Sequence, residues 1–227
     1  MKNRIVILLY SACILSIGSA CTNQKPKTGR LPFFGPRLGE TRKMVKGIEV
    51  VDTVFHIIPD FKVINQDGIV VTQNDFNGKV YVADFFFTSC PSICPMTQAN
   101  LLQVQKRFHN VDDFRMISFS IDPRHDNIQV LKDYATRLGA NTKQWFFARG
   151  EEDEIYDLAQ KGYFATAMKD SSAPGGFLHS GAFILVDKDK RIRGVYNGTD
   201  TSEVSRLEKD IPRLFEEYHE TIKDVAE

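Results

Sequence analysis

Nine consecutive residues, Lys79-Val-Tyr-Val-Ala-Asp-Phe-Phe-Phe87, carry one charge beyond the leading lysine. Strand length, β-branched and aromatic side chains and the lack of alternation predict a central β-strand buried on both faces. A strand of that kind needs cover above and below, which restricts the chain to a layered α/β architecture. Thr88-Ser-Cys-Pro-Ser-Ile-Cys-Pro95 follows directly. Pro91 and Pro95 suit a loop and the first turn of a helix. Thr97, Leu101, Val104 and Phe108 then recur at the spacing of one helical face. Two cysteines therefore stand where a central strand hands over to a helix N-terminus. Free N–H groups and the helix dipole stabilise thiolate there, and open α/β sheets place their chemistry at such strand ends.

The remaining periodicity alternates. Phe114–Ile121 reads as a second strand, Asn127–Leu138 as a helix, Gln144–Phe147 as a short strand and Glu151–Gln160 as a helix. Gly181–Val186 and Arg191–Tyr196 flank Asp187-Lys-Asp-Lys190 as a hairpin. Ser202–Tyr218 is a closing amphipathic helix that Pro212 threatens to interrupt. This order predicts an α/β, thioredoxin-like fold over residues 48–227, with a central mixed sheet flanked by helices. No internal repeat is visible.

Residues 1–20 read as a signal peptide. Lys2 and Arg4 are followed by a mostly apolar Ile5–Ile17 and then Gly18-Ser-Ala-Cys21. The segment resembles a bacterial lipoprotein signal, in which the cysteine is lipidated and becomes the first mature residue. It departs from that pattern in having Gly18 where leucine is usual. The alternative is ordinary secretion with a free Cys21; either way the chain is exported. No run of about 18 apolar residues exists to span a membrane. The expected localisation is therefore a bacterial lipoprotein, membrane-anchored through Cys21, with its domain on the extracytoplasmic side. Residues 21–47, rich in proline and glycine, read as a tether, within which Leu31–Pro36 could dock on the body. Twenty-nine basic residues balance 29 acidic ones, which excludes a protein held on nucleic acid by its overall charge.

Four cysteines are present. Cys13 leaves with the signal and Cys21 is assigned to the anchor, so Cys90 and Cys94 remain. In an exported protein the default is a structural disulfide. Closing so short a loop removes only about 2 kcal/mol of unfolded-chain entropy, however. Two sulfurs meant to meet something explain the spacing better. A soft metal held by two thiolates commonly takes a nitrogen as well. Among the five histidines, His109 and His219 read as surface residues and His56 as structural. His125, in Asp122-Pro-Arg-His-Asp126, follows the neighbouring strand and could approach the pair. His179 follows the flexible Ser171–Gly176 and opens the strand entering the hairpin, which in a thioredoxin-like sheet faces the cysteine loop. A thiol oxidoreductase of this fold usually keeps a cis-proline there; the nearest proline here is Pro174.

Thr88-Ser-Cys-Pro-Ser-Ile-Cys-Pro95, Ser120-Ile-Asp-Pro123 with Asp126, and Leu178-His-Ser180 before a hairpin resemble the Sco/SenC copper chaperones of cytochrome c oxidase assembly. The resemblance spans about residues 48–220. It implies copper, Cu(I) or Cu(II), on Cys90, Cys94 and His179. It also implies a membrane tether and, as partner, the copper-receiving subunit of the oxidase, with a periplasmic copper donor upstream. His125 departs from the family, which often has a charged residue such as arginine in that loop; it either adds a ligand or changes reactivity. Two thiolates and an imidazole suit three-coordinate Cu(I), hold Cu(II) with an added ligand, and with water would suit zinc, over which copper has the higher intrinsic affinity. Oxidation of Cys90 and Cys94 to a disulfide would compete with metal.

Asp84 lies inside the apolar strand, six residues before Cys90. It either accepts a proton from a thiol and tunes its pKa, or is solvated or capped by a neighbour. Asp122 and Asp126 read as loop-formers through side-chain to backbone hydrogen bonds. Phosphate-cradling glycine loops, His-Glu-x-x-His and serine-hydrolase elbows are absent from the sequence. The chain reads more as a metallochaperone than as an enzyme. The alternative is a thiol–disulfide oxidoreductase, or a thiol peroxidase, acting on the oxidase's own cysteines.

Overall fold

The computed structural model describes residues 29–218. In chain order the elements are β1 (Arg37–Val45), β2 (Ile48–Phe55), β3 (Lys62–Asn65), β4 (Val70–Thr72), β5 (Val80–Phe86), α1 (Cys94–Arg107), β6 (Phe114–Ser120), α2 (Ile128–Leu138), β7 (Trp145–Arg149), α3 (Glu152–Asp157), β8 (Ala167–Lys169), β9 (Phe177–His179), β10 (Ala182–Val186), β11 (Ile192–Asn197) and α4 (Thr201–Glu217). Seven strands form one sheet in the order β11-β10-β5-β6-β7-β3-β4. β5, β6 and β7 are parallel, whereas β10 runs antiparallel to β5 and β3 antiparallel to β7. With helices covering it, this is the thioredoxin-like arrangement expected.

Every residue of β5 is buried, as an uninterrupted apolar run in a covered parallel sheet requires. Phe86 and Phe87 are fully enclosed, and burying an aromatic side chain contributes roughly 1.5–3 kcal/mol. α2 starts where the Asn127 side chain accepts the Val130 N–H and stops at Gly139 in the left-handed region, a sharp start and stop signal. β7 begins one residue later and runs two residues further than its sequence suggests, because Ile64 of β3 pairs with Arg149. α3 ends at Asp157 and passes into a wider π-turn over Leu158–Gly162. α4 is continuous through Pro212. Val204, Leu207, Ile211, Leu214 and Phe215 anchor it against the body on both sides of the proline, and that packing outweighs one missing backbone bond.

The tether expected over residues 21–47 is corrected in its second half. Leu31 is buried, and Phe34 donates its N–H to the Ile192 carbonyl. The enclosed Arg193 guanidinium donates to the Leu31 and Pro32 carbonyls and pairs with Asp187 and Glu217. It also lies 4.2 Å from the centre of the Phe33 ring. β1 then pairs with β2 as a hairpin outside the main sheet. Its turn is Lys46-Gly47, both with positive φ, which suits a tight two-residue hairpin connection. Val186 pairs with Tyr81 at the start of β5, and Ile192 follows just after the turn. The chain therefore enters the domain at the opposite end of the sheet from the cysteines.

A candidate metal centre

β5 ends at Phe86 and the chain turns at once, with the Cys90 N–H donating to the Phe87 carbonyl. α1 begins at Cys94 with no side-chain cap. Its free N–H at Cys94, with that of Ser92, points at the Cys90 sulfur instead, so a sulfur takes the place that a capping oxygen usually fills. His179 arrives from β9, which pairs only with β8 and sets His179 opposite Ala167. Gly175 lets this hairpin close on the cysteine loop. It has a positive φ, and a Cβ there would come within 2.8 Å of the Phe87 ring and 3.1 Å of Pro91. The Phe87 ring meets Phe177 at 5.0 Å and His179 edge-on at 5.6 Å.

His179 Nε2 lies 3.6 Å from Cys90 Sγ and 3.4 Å from Cys94 Sγ. All three ligand atoms fall within 4.8 Å of one another, the one such group of histidine, cysteine or carboxylate donors among the described residues. Both cysteines are free thiols, Cys94 almost fully enclosed and Cys90 slightly open. Two soft sulfurs and one imidazole nitrogen converging at a buried point fit a copper ion by the chemistry of the donors.

The electrostatics differ at each ligand. Burial pushes the Cys90 thiol up, but donation from the Ser92 hydroxyl and from the N–H groups of Cys94 and Ser92 outweighs it, leaving Cys90 below the usual thiol range. Burial drives Cys94 far above that range, despite a backbone hydrogen bond from Phe87, and the charges of Cys90 and Asp84 add to the rise. His179 is pushed down by burial, which keeps the imidazole neutral and able to coordinate. Its Nδ1 is buried and unpaired; the Phe85 carbonyl faces it but falls short of full hydrogen-bond geometry.

Asp84 is buried rather than solvated. It accepts from Ser118 Oγ, and from Gln98 Nε2 at 2.6 Å. Burial raises its carboxyl to about 7 against those two hydrogen bonds. Asp122 shapes its loop as expected, its carboxylate accepting the His125 N–H at 3.4 Å, and its carbonyl adds bonds from the N–H groups of His125 and Asp126. Asp126 does more. Fully buried, it accepts from the Thr88 N–H and hydroxyl, Ser120 Oγ and His125 Nδ1, tying that loop to the cysteine loop. His125 itself is half exposed and outside the three-ligand group. His109 and His56 bond to the Lys106 and Gly162 carbonyls. Cys13, Cys21 and His219 lie outside the described residues.

Two neighbours of the site escape sequence reasoning. Tyr134 packs on Phe86 and Phe147 at 5.5 and 5.9 Å. Burial, followed by the nearby Cys94 and Asp84, pushes its phenol up, so it stays protonated beside the thiols. Gln98 lies one helical turn beyond Cys94 and links α1 to Asp84. Both register in the sequence only as positions on helices, since nothing local states what faces them.

The chain matches known proteins across this same region. A family model described as SCO1/SenC matches residues 51–216. A SCO1/SenC family lipoprotein from Bacillus anthracis is 28% identical with a TM-score of 0.65, over 70% of this chain and 95% of that one. BsSco, described with a disulfide switch and as a member of the Sco family of cytochrome c oxidase assembly proteins, is 31% identical with a TM-score of 0.63, over 70% and 93%. Arabidopsis thaliana ScoI with copper bound is 25% identical with a TM-score of 0.57, over 68% and 98%.

Proposed function

The chain belongs to the SCO1/SenC family, and from that membership we propose that it is a copper-delivering protein, tethered to the membrane through Cys21, that supplies the binuclear copper site of a cytochrome c oxidase subunit. One observation carries the reading: Cys90 and Cys94 on one turn and His179 from a distant hairpin bring two sulfurs and a nitrogen within 4.8 Å of each other. The assembly role and the copper bound by similar proteins support it, as does the lipoprotein character of another.

The site's own groups divide the work of taking up the ion. Thiols must lose their protons to bind metal. Cys90, held below the usual range by the Ser92 hydroxyl and the N–H groups of Cys94 and Ser92, gives up its proton first and makes the first sulfur contact. Cys94, held protonated by burial, releases its proton only against a metal bond. Neutral His179 adds its Nε2 lone pair without a proton to lose. A site of three donors leaves a side open through which a partner's ligands can take the cargo.

A second reading is favoured by the same asymmetry. A slightly open thiol of low pKa beside a more deeply buried one of high pKa is the pattern of thiol–disulfide exchange. Cys90 would attack a partner disulfide, Cys94 would resolve the mixed disulfide, and the partner would leave with two thiols while Cys90 and Cys94 become a disulfide.

A strain lacking this chain separates the two readings. Oxidase activity is expected to fall, with partial recovery on added copper by mass action. Recovery with a reductant and none with copper would establish the exchange reading instead. In the complemented strain, Cys21→Ser is expected to move the protein from the membrane fraction to the soluble fraction. Continued membrane association of a cleaved Cys21→Ser chain would refute the lipid anchor.

A further inference from the structure

We propose that His125 is a capture ligand: an exposed imidazole at the rim of the metal centre that takes an incoming copper ion first and passes it to Cys90, Cys94 and His179. The inference rests on the copper-binding reading of that centre. The three donors are recessed, Cys94 being 1% exposed and Cys90 7%. A hydrated ion must therefore shed water before any sulfur can reach it. A further imidazole, His125, lies against Thr88, two residues before Cys90, and its geometry is that of a supported metal ligand.

His125 Nδ1 lies 2.9 Å from the buried Asp126 carboxylate and 3.4 Å from Thr88 Oγ1, in the segment leading into Cys90. A carboxylate accepting the Nδ1 proton fixes the tautomer and leaves the Nε2 lone pair facing outward, the arrangement that supports histidine ligands in metal sites. The loop beneath is pinned on several sides. Arg149 donates to the Pro123 carbonyl, Tyr156 to the Ile121 carbonyl, and Arg124 pairs with Glu152 at 3.2 Å. Besides the imidazole, Asp126 has three donors in the Thr88 N–H, the Thr88 hydroxyl and Ser120 Oγ, so the loop is held without it.

His125 is outside the cluster in which the other three ligand atoms converge. Its role is sequential rather than that of a fourth simultaneous ligand. A water on the ion is exchanged for His125 Nε2. Cys90 Sγ and then Cys94 Sγ bond to the ion as each thiol proton leaves to solvent, and the Nε2 bond breaks as neutral His179 completes the set. The copper oxidation state does not change.

The test is rapid mixing of the reduced mature protein with copper(II) chloride, following thiolate-to-copper charge-transfer absorption. His125→Ala and His125→Gln are both expected to slow its appearance by about ten-fold, the scale on which losing a supporting group weakens metal sites. The final spectrum and stoichiometry should stay as in wild type. Glutamine can still bond to Asp126 and Thr88, so it separates coordination from loop support. A wild-type or faster rate in His125→Gln overturns the proposal. A wild-type protein that develops no copper band overturns the copper reading itself, which is a different outcome.

Discussion

Cys94→Ser is expected to abolish tight Cu(I) binding while leaving the domain folded. Serine has nearly the volume of cysteine and can still donate a hydrogen bond in the enclosed pocket. An alcohol oxygen, however, is a poor ligand for a soft ion. Losing a direct sulfur should cost more than the roughly 100-fold that removing a mere supporting partner costs at metal sites. Competition against a Cu(I) chelator, with unfolding curves run in parallel, measures this. Wild-type affinity in Cys94→Ser would show that the site is misassigned.

Asp84→Asn is expected to stabilise the protein at pH 8 by about 4 kcal/mol. The carboxyl is raised from 3.8 to about 7, and each pKa unit is worth about 1.4 kcal/mol between the two protonation states. Because the folded pKa lies above the unfolded one, the folded state holds a proton that the unfolded chain has lost between about pH 4 and pH 7. Wild-type stability from this group therefore falls as pH rises through that window, and the loss is complete above it. Asparagine is neutral throughout and can still accept from Ser118. The difference between variant and wild type should be near zero at pH 4 and largest at pH 8, where it amounts to about 10 °C in Tm for a chain of this size. A difference independent of pH would show that the folded protein leaves the Asp84 pKa unraised, contrary to its surroundings.

The central strand, the helix after it and the cysteine pair were legible because each rests on local chemistry. β5 is a continuous apolar run, α1 a regular apolar face, and Cys90 and Cys94 stand where one becomes the other. His179 needed the fold order as well, since its place beside the sulfurs depends on a hairpin 85 residues along the chain from Cys94. The β1–β2 hairpin was hidden because its turn is Lys-Gly and its flanks carry the glycine and proline of a tether. The Arg193 clamp on Leu31 joins residues 162 apart, and no period or spacing records such a contact. The same holds for Asp126, which reads as a loop-former until its four donors are seen together. Burial also decided Asp84: the strand pattern was compatible with an open end, and only Gln98 and Ser118 bonded to it, with Trp145 donating to Ser118 in turn, close the question.

X-ray absorption at the copper edge, on the mature protein loaded under reducing conditions, tests the ligand set most directly. One copper per chain is predicted, bound by two sulfurs and one nitrogen or oxygen. In His179→Ala the nitrogen shell should disappear from the Cu(II) form, whereas Cu(I) remains held by the two sulfurs. A His179→Ala spectrum unchanged in both oxidation states, or a wild-type spectrum with fewer than two sulfurs, would contradict the assignment of Cys90, Cys94 and His179 as the copper site.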